Sequence, residues 1–209
     1  MNVGLSVTDR HTMIGDAQIR LALRSRLSIE HRDEPDTVLV EELGFCRGQA
    51  RIDLAVVNGH LHGYEIKSER DSLRRLPAQI DFYGRVLDRA TLVVDGRHLE
   101  DALAIVPPWW GVLRVDARST GLGFAKARRG RFNPRRDARS LVELLWLDDA
   151  IELLEHRGAA RGVRGKSRQM VWDRICEKLT LDEIAEAVRN HVRARTGSQV
   201  LRRPWLCGG

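Results

Sequence analysis

The stretch RIDLAVVNGHLHGYEIK, residues 51–67, decides the fold. Two runs rich in apolar and β-branched residues, Arg51 to Val57 and Leu61 to Ser68, flank Asn58-Gly59, a dipeptide that favours a tight hairpin turn. Pairing centred on that turn sets Asp53 opposite residue 64 or 65. In the second run Glu65 and Lys67 are two residues apart, so strand alternation sends both side chains to one face while Ile66 points away. Taking either ion out of water costs several kcal/mol, which implies a compensating metal or substrate. Two carboxylates, Asp53 and Glu65, converging on one point raise each other's pKa unless a divalent cation lies between them, and oxygen ligands favour Mg²⁺ or Mn²⁺. Lys67 is the only lysine in the first 125 residues of a chain with 31 arginines and 4 lysines, so this position calls for an ammonium where the rest of the sequence uses guanidinium.

Upstream, Asp16 is an N-cap candidate for a helix to about Ile29, with Ile19, Leu23 and Leu27 on one stripe. A strand from Thr37 to Leu43 follows, ended by the turn-forming Gly44 to Gly48 stretch. Downstream, a helix from about Asp71 to Leu87, with Pro77 as a new start or a kink, precedes a β-branched run from Thr91 to Val94. The order is therefore α-β-β-β-α-β. His98 to Ile105 reads as a short helix, and Trp110 to Val115 and Gly121 to Ala127 as strands, the second after a turn at Ser119-Thr120-Gly121. From about Asp137 the pattern is helical, with Leu141 to Glu155, Arg168 to Leu179 and Leu181 to Arg195 as elements. Thr180 and Glu183 form a capping-box pattern ahead of Leu181, Ile184, Val188 and Val192 at helical spacing. The tail from Gly197 to Gly209 has no periodicity and reads as an irregular arm. The expected division is an α/β domain over residues 1–136 with a mixed central sheet, followed by a small helical extension over 137–209.

Asp53 after Arg51-Ile52, then Glu65-Ile66-Lys67, on adjacent strands of this order, resembles the PD-(D/E)XK nuclease superfamily with its restriction-endonuclease-like core. Gln79 and Tyr83 on the next helix form a Q-x-x-x-Y element similar to that of its RecB-type members. The resemblance covers roughly residues 14–116, and the rest of the chain is similar to bacterial members that are themselves uncharacterised. Ile52 stands where the superfamily has its leading proline, a variable position that carries no ligand. The resemblance implies metal-assisted phosphodiester hydrolysis in DNA, with Mg²⁺ (or Mn²⁺) held by Asp53, Glu65, the Ile66 carbonyl and, through water, an upstream acid. Glu42 is the preferred upstream acid and Glu41 the alternative, because a sheet covered on both sides offers no solvent face to set the phase. In this reading Lys67 orients the attacking water and stabilises the growing negative charge. Gln79 and Tyr83, one helical turn apart, hold the lysine, the metal waters or the substrate phosphate. The rivals are a nucleic-acid-binding protein that keeps the fold without cutting and a subunit that acts within a larger complex. Cutting both strands of a duplex would call for a homodimer.

The chain of 209 residues carries a net charge of +6, unevenly spread. Residues 1–105 hold 14 basic and 17 acidic side chains, and residues 106–209 hold 21 and 12, which suits an acidic site at the front and polyanion contacts at the back. Lys126, Arg128, Arg129, Arg131, Arg135, Arg136 and Arg139, with Phe132 between them and Asp137 the lone acid, form the best phosphate-backbone patch. Arg157, Arg161, Arg164, Lys166 and Arg168 read as a flexible basic loop. Asp71, Arg74 and Arg75 follow the E-x-K strand closely enough to line its cleft. His60 and His62 read as hairpin surface residues, and Trp109-Trp110 as packing. Cys46, Cys176 and Cys207 lack zinc-knuckle or disulfide spacing. With neither an export signal nor an apolar run of about 20 residues, a soluble cytoplasmic protein with no membrane contact is expected.

Overall fold

Period-two patterning builds one six-stranded sheet in simple chain order, seen in a computed structural model that describes residues 14–118 and 121–198. The strands are β1 (Val38–Phe45), β2 (Ala50–Val57), β3 (Leu61–Lys67), β4 (Arg89–Asp95), β5 (Gly111–Arg118) and β6 (Gly121–Arg128). β1, β2 and β3 are antiparallel, β3, β4 and β5 run parallel, and β6 turns back antiparallel. The parallel pairs need crossovers, which helices α2 (Leu76–Val86) and α3 (Leu99–Ile105) supply. The mixed sheet and the α-β-β-β-α-β order are as expected. Asn58-Gly59 does turn a hairpin, in the register Leu54↔Tyr64.

Helix α1 (Asp16–Glu30) lays Ile19, Leu23 and Leu27 on one face of the sheet, against Leu54, Val56, Tyr64, Ile66, Val93 and Val115. Gly15 rather than Asp16 holds the N-cap position. The opposite face meets α2 and the C-terminal helices α4 (Ala138–Val142), α5 (Leu147–His156), α6 (Arg168–Lys178) and α7 (Leu181–Ser198). This second core is continuous. Ile52, Leu61 and Tyr83 share it with Val142, Ile175 and Val188, so the helices beyond residue 136 rest on the sheet. Gly63 permits the close approach of α2, since a Cβ there would meet Leu87 Cδ1 at 2.5 Å.

The expected helix from Leu141 to Glu155 is broken in two. Asp137 caps α4 by accepting from the Ser140 amide at 2.7 Å, and burial of Leu141, Val142 and Leu145 turns the chain before Asp148 and Asp149 start α5. Pro77 sits in the first turn of α2, after a 3₁₀ turn at Leu73–Arg75, which makes it a helix start. The Thr180 and Glu183 capping box closes in both directions, at 2.8 and 3.3 Å. Among the described residues no helix is long and apolar enough to cross a membrane. The residues before 14, the Ser119-Thr120 turn, Cys207 and the tail beyond 198 lie outside the described residues.

Candidate active site

The site forms where β2 and β3 separate. Their pairing runs from the turn only as far as Leu54↔Tyr64, one step before Asp53. Asp53 takes over there, its Oδ2 accepting from the Ile66 amide at 2.7 Å in place of the missing backbone bond. A strand residue's N–H and C=O leave by the same edge, so the Ile66 carbonyl opens into this gap too. β1 and β2 both change phase at this level. Val38 and Val40 face the second core, as do Leu43 and Phe45 after the change, while across the ladder Ile52 and then Ala55 and Val57 do the same. Glu42, at φ 55, absorbs the change in β1 in a conformation that few non-glycine residues adopt.

Glu65 and Lys67 project together from β3, 2% and 5% exposed. Lys67 Nζ donates to Glu65 Oε1 at 2.5 Å, so the buried charges compensate each other. α2 completes the shell of Glu65: Gln79 Nε2 donates to Oε1 at 2.6 Å and the Tyr83 hydroxyl to Oε2 at 2.8 Å. Tyr83 also lies 2.6 Å from the Arg51 carbonyl, is fully buried, and packs its ring between Phe45 and Trp110. The helical spacing of four that pairs Gln79 with Tyr83 therefore aims both polar ends at one carboxylate. Burial, and then the charge of Glu65, push the Asp53 carboxyl up to about 7, against the Ile66 amide and the Arg20 guanidinium, which favour its ionised form. Burial and Glu65 likewise push the Tyr83 phenol well above its ordinary value, so it remains a donor.

Arg20 of α1 enters the site from the other face, a participant that the sequence reading missed. Its guanidinium meets Asp53 Oδ1 and Asp16 Oδ2 at 3.0 Å each and pairs with Glu42. Arg51 Nε takes the other Glu42 oxygen at 2.5 Å. The only local signal was the i, i+4 spacing of Asp16 and Arg20 beside the apolar stripe, which every solvated helix face also shows. Glu41 instead pairs with Arg24 at the surface, so Glu42 is the acid brought to the gap.

The residues suit a hard divalent cation. Asp53 and Glu65 repel each other, the Ile66 carbonyl faces the gap, and Gln79 Oε1 is a buried acceptor without a hydrogen-bond partner among the described residues, available to a metal-bound water. Among the described residues no group of three or more His, Cys, Asp or Glu side chains gathers to hold an ion. The matching donor set is thus two carboxylates completed by a carbonyl and water.

The candidate basic contacts divide between two ends of the sheet. Arg74 and Arg75 are exposed on the 3₁₀ turn ahead of α2, at the carboxylate end, where the exposed Arg70 joins them. Asp71 fixes that loop, accepting from the Ser68 amide and hydroxyl at 2.7 and 2.5 Å. Arg128 and Arg136 are engaged inside the protein. Arg128 donates to the carbonyls of Trp110, Val106 and Pro107, and Arg136 bridges buried Asp88 to Asp182. Lys126, Arg129, Arg131 and Arg135 are exposed. The loop from Arg157 to Arg168 is less free than its own composition suggested: Arg157 pairs with Glu183, Arg164 with Glu155, and Arg168 lies over Trp172. His62 is no surface residue. It stacks on Tyr64 with centroids 4.3 Å apart, its Nε2 is 2.9 Å from Thr91 Oγ1, and burial, then the Arg89 charge, push its pKa down to about 3.

Fold and site together define a mixed α/β protein whose sheet opens around two carboxylates and a buried lysine. The chain belongs to the family described as Bacteriophage P4 protein cII, whose model matches residues 10–203. It is 24% identical over 160 residues to Protein cII of Enterobacteria phage P4, a match covering 77% of this chain and 60% of that protein, so the chain spans less than two thirds of that relative's length. Among solved structures, a Silicibacter pomeroyi protein of unknown function is similar over 69% of this chain and 92% of its own, with 23% identity and a TM-score of 0.38.

Proposed function

We propose that this protein is a Mg²⁺-dependent nuclease of the PD-(D/E)XK type that hydrolyses phosphodiester bonds in DNA. The observation that carries the reading is the buried Lys67–Glu65 pair, clamped by Gln79 and Tyr83 beside an Asp53 whose carboxyl is destabilised. Such an arrangement is costly for stability and suits a site that works on a charged substrate.

Asp53, Glu65 and the Ile66 carbonyl would hold the ion, with Glu42 contributing through water. Bound Mg²⁺ would neutralise phosphate charge and make a coordinated water more acidic. Lys67 would present Nζ–H to the oxygen on which negative charge grows as water attacks phosphorus, its proton passing to solvent, and the P–O bond to the leaving group breaks, the leaving oxygen taking a proton from solvent. Gln79 and Tyr83 keep Glu65 from rotating away, which fixes Lys67 in turn. Arg70, Arg74 and Arg75 stand at the same end of the sheet and supply phosphate contacts to the strand being cut.

A second reading is favoured by Arg20, whose guanidinium already pairs with Asp16, Glu42 and Asp53. In that reading the cleft binds nucleic acid, alone or within a complex, without cutting it. The test is cleavage of supercoiled, linear and single-stranded DNA and of RNA, with Mg²⁺, Mn²⁺ or EDTA, beside Asp53→Ala and Lys67→Ala. Metal-dependent cutting lost in both variants supports the nuclease and names its substrate. Retained binding without cutting supports the second reading, and a dimer that cuts both strands of a duplex would support paired sites.

A further inference from the structure

At the end of the sheet remote from the carboxylates the chain builds a second concavity. After β6, residues 129–133 cross the N-terminal ends of β5, β4 and β3. The Arg131 amide donates to the Trp109 carbonyl at 2.8 Å, and the Asn133 amide to the Asp88 carbonyl at 2.9 Å. The Asn133 side chain donates to the Gly84 and Leu87 carbonyls at 2.7 Å each. Gly111 and Gly130 touch backbone to backbone, so that a Cβ on Gly130 would lie 3.0 Å from the Gly111 nitrogen. With Arg128 anchored on three carbonyls, this crossing segment is a fixed wall.

The wall encloses a cavity of about 630 Å³ lined by Arg89, Arg128, Arg129, Gly130, Arg131 and Phe132. Among the described residues four guanidinium groups line it, and no acid does. Asp88, the nearest buried carboxylate, is consumed by Arg136, Arg189 and the Leu61 amide. Arg129 and Arg131 make no ion pair among the described residues. Arg89 Nε is buried without a hydrogen-bond partner among the described residues, and its guanidinium lies 4.3 Å from the centroid of the Phe132 ring. Phe132 is 49% exposed, an unusual state for a large apolar side chain held in place on one side by Arg89 and edge-on by His60. Uncompensated arginines call for a dianion, and the aromatic ring beside them offers a surface for a nucleobase.

The cavity is not an extension of the carboxylate cleft. Arg89 precedes Leu92, the neighbour of Glu65, by three residues, about 10 Å along the strand, and Lys67 lies further still. Arg89 is also in phase with Thr91 and Val93, on the α1 face, whereas Glu65 and Lys67 project from the other. We propose that this arginine cavity is a second, metal-independent binding site for a nucleoside phosphate, with the phosphate on Arg89, Arg129 and Arg131 and the base against Phe132. The ligand is a free nucleotide or the phosphorylated terminus of a strand, two sources of one chemistry. The proposal holds whether or not the protein cuts DNA.

The test is equilibrium binding to the full chain in EDTA, using mant-dADP and a fluorescein-labelled, 5′-phosphorylated dT12. The Arg129→Gln/Arg131→Gln double variant, whose side chains are exposed, should fold as the parent does and bind mant-dADP at least tenfold more weakly. Phe132→Ala should weaken mant-dADP while leaving inorganic phosphate as an equally good competitor, and Asp53→Ala should leave mant-dADP affinity unchanged even where it abolishes cleavage. Binding of mant-dADP with the oligonucleotide excluded assigns the site to free nucleotides, and the reverse assigns it to strand ends. Equal affinity in the double variant, or no saturable binding of either probe at millimolar concentration, would overturn the proposal.

Discussion

The two ends of the central sheet solve the problem of buried charge in opposite ways. Where β2 and β3 part, two carboxylates are held close, one paired with Lys67 and the other, though met by Arg20 and the Ile66 amide, with its carboxyl pushed up to about 7. At the far end a single carboxylate, Asp88, is 2% exposed and receives Arg136, Arg189 and a backbone amide. The second arrangement is over-satisfied and holds the helical region to the sheet. The first keeps its partners yet sets two buried carboxylates against each other, and a charge held against such repulsion marks a candidate for chemistry rather than a brace. The difference teaches that the same residue types are to be ranked by which charges still oppose each other, not by how many are gathered.

That contrast can be broken most directly by removing Lys67. Lys67→Ala is expected to lower cleavage by about 10²-fold or more, the usual scale for losing a group that meets transition-state charge, while far-ultraviolet circular dichroism stays unchanged. Undiminished turnover would show that the carboxylate end is not where the chemistry happens. At the other end Asp88→Ala takes the ion-pair partner from Arg189 and the buried partner from Arg136, which keeps only exposed Asp182, and should cost about 3 kcal/mol of stability in urea denaturation, with little effect on turnover per folded molecule. A variant as stable as the parent would remove the structural half of the contrast.

Asp53 sharpens it through pH. Its native carboxyl holds a proton up to about pH 7, whereas the same group in the unfolded chain releases it near pH 4. Between those values the native state binds more protons than the unfolded state, so this residue's contribution to stability falls as pH rises and the cost is fully present above pH 7. Asp53→Asn, scanned by calorimetry in EDTA, should therefore raise the melting temperature at pH 8 by several degrees and by less at pH 5. Mg²⁺ should raise the melting temperature of the parent at pH 8 and not that of the variant. A variant less stable than the parent at pH 8 would mean that the Arg20 ion pair outweighs the repulsion from Glu65. The smallest effect belongs to the exposed arginines: neutralising Arg129 and Arg131 together should flatten the slope of log affinity for DNA against log salt by about 2, whereas an unchanged slope would leave them as ordinary surface.

Much of the fold was legible because its signals are local. The stripe of Ile19, Leu23 and Leu27, the Asn58-Gly59 turn, Pro77 at a helix start and the Thr180 and Glu183 box each act within one element or turn, and each lies where its chemistry requires. Within the candidate site, Glu65 and Lys67 were legible through the strand period of two, whereas Gln79 and Tyr83 were picked out by the Q-x-x-x-Y resemblance, their spacing of four adding only that they share a helix face. The upstream acid was not legible, since Glu41 and Glu42 differ only by strand phase, and the left-handed turn at Glu42 that sets the phase has no sequence signature. His62 read as surface because its strand phase gives a face but not what covers it, here Tyr64 and Thr91.

The sequence by itself determined the class of the fold, the order of its elements and the face on which Glu65 and Lys67 stand, because backbone periodicity and turn chemistry act over a few residues. Only the tertiary structure decided which charges are spent and which are spare. Arg128, Arg129 and Arg131 are alike in sequence and line one cavity, yet one is locked on three carbonyls and two are exposed without an ion pair among the described residues, and Arg20 reaches Asp53 across 33 residues of chain. Pairing depends on distances between elements, and those are set by the packing of the two cores rather than by any local run of residues.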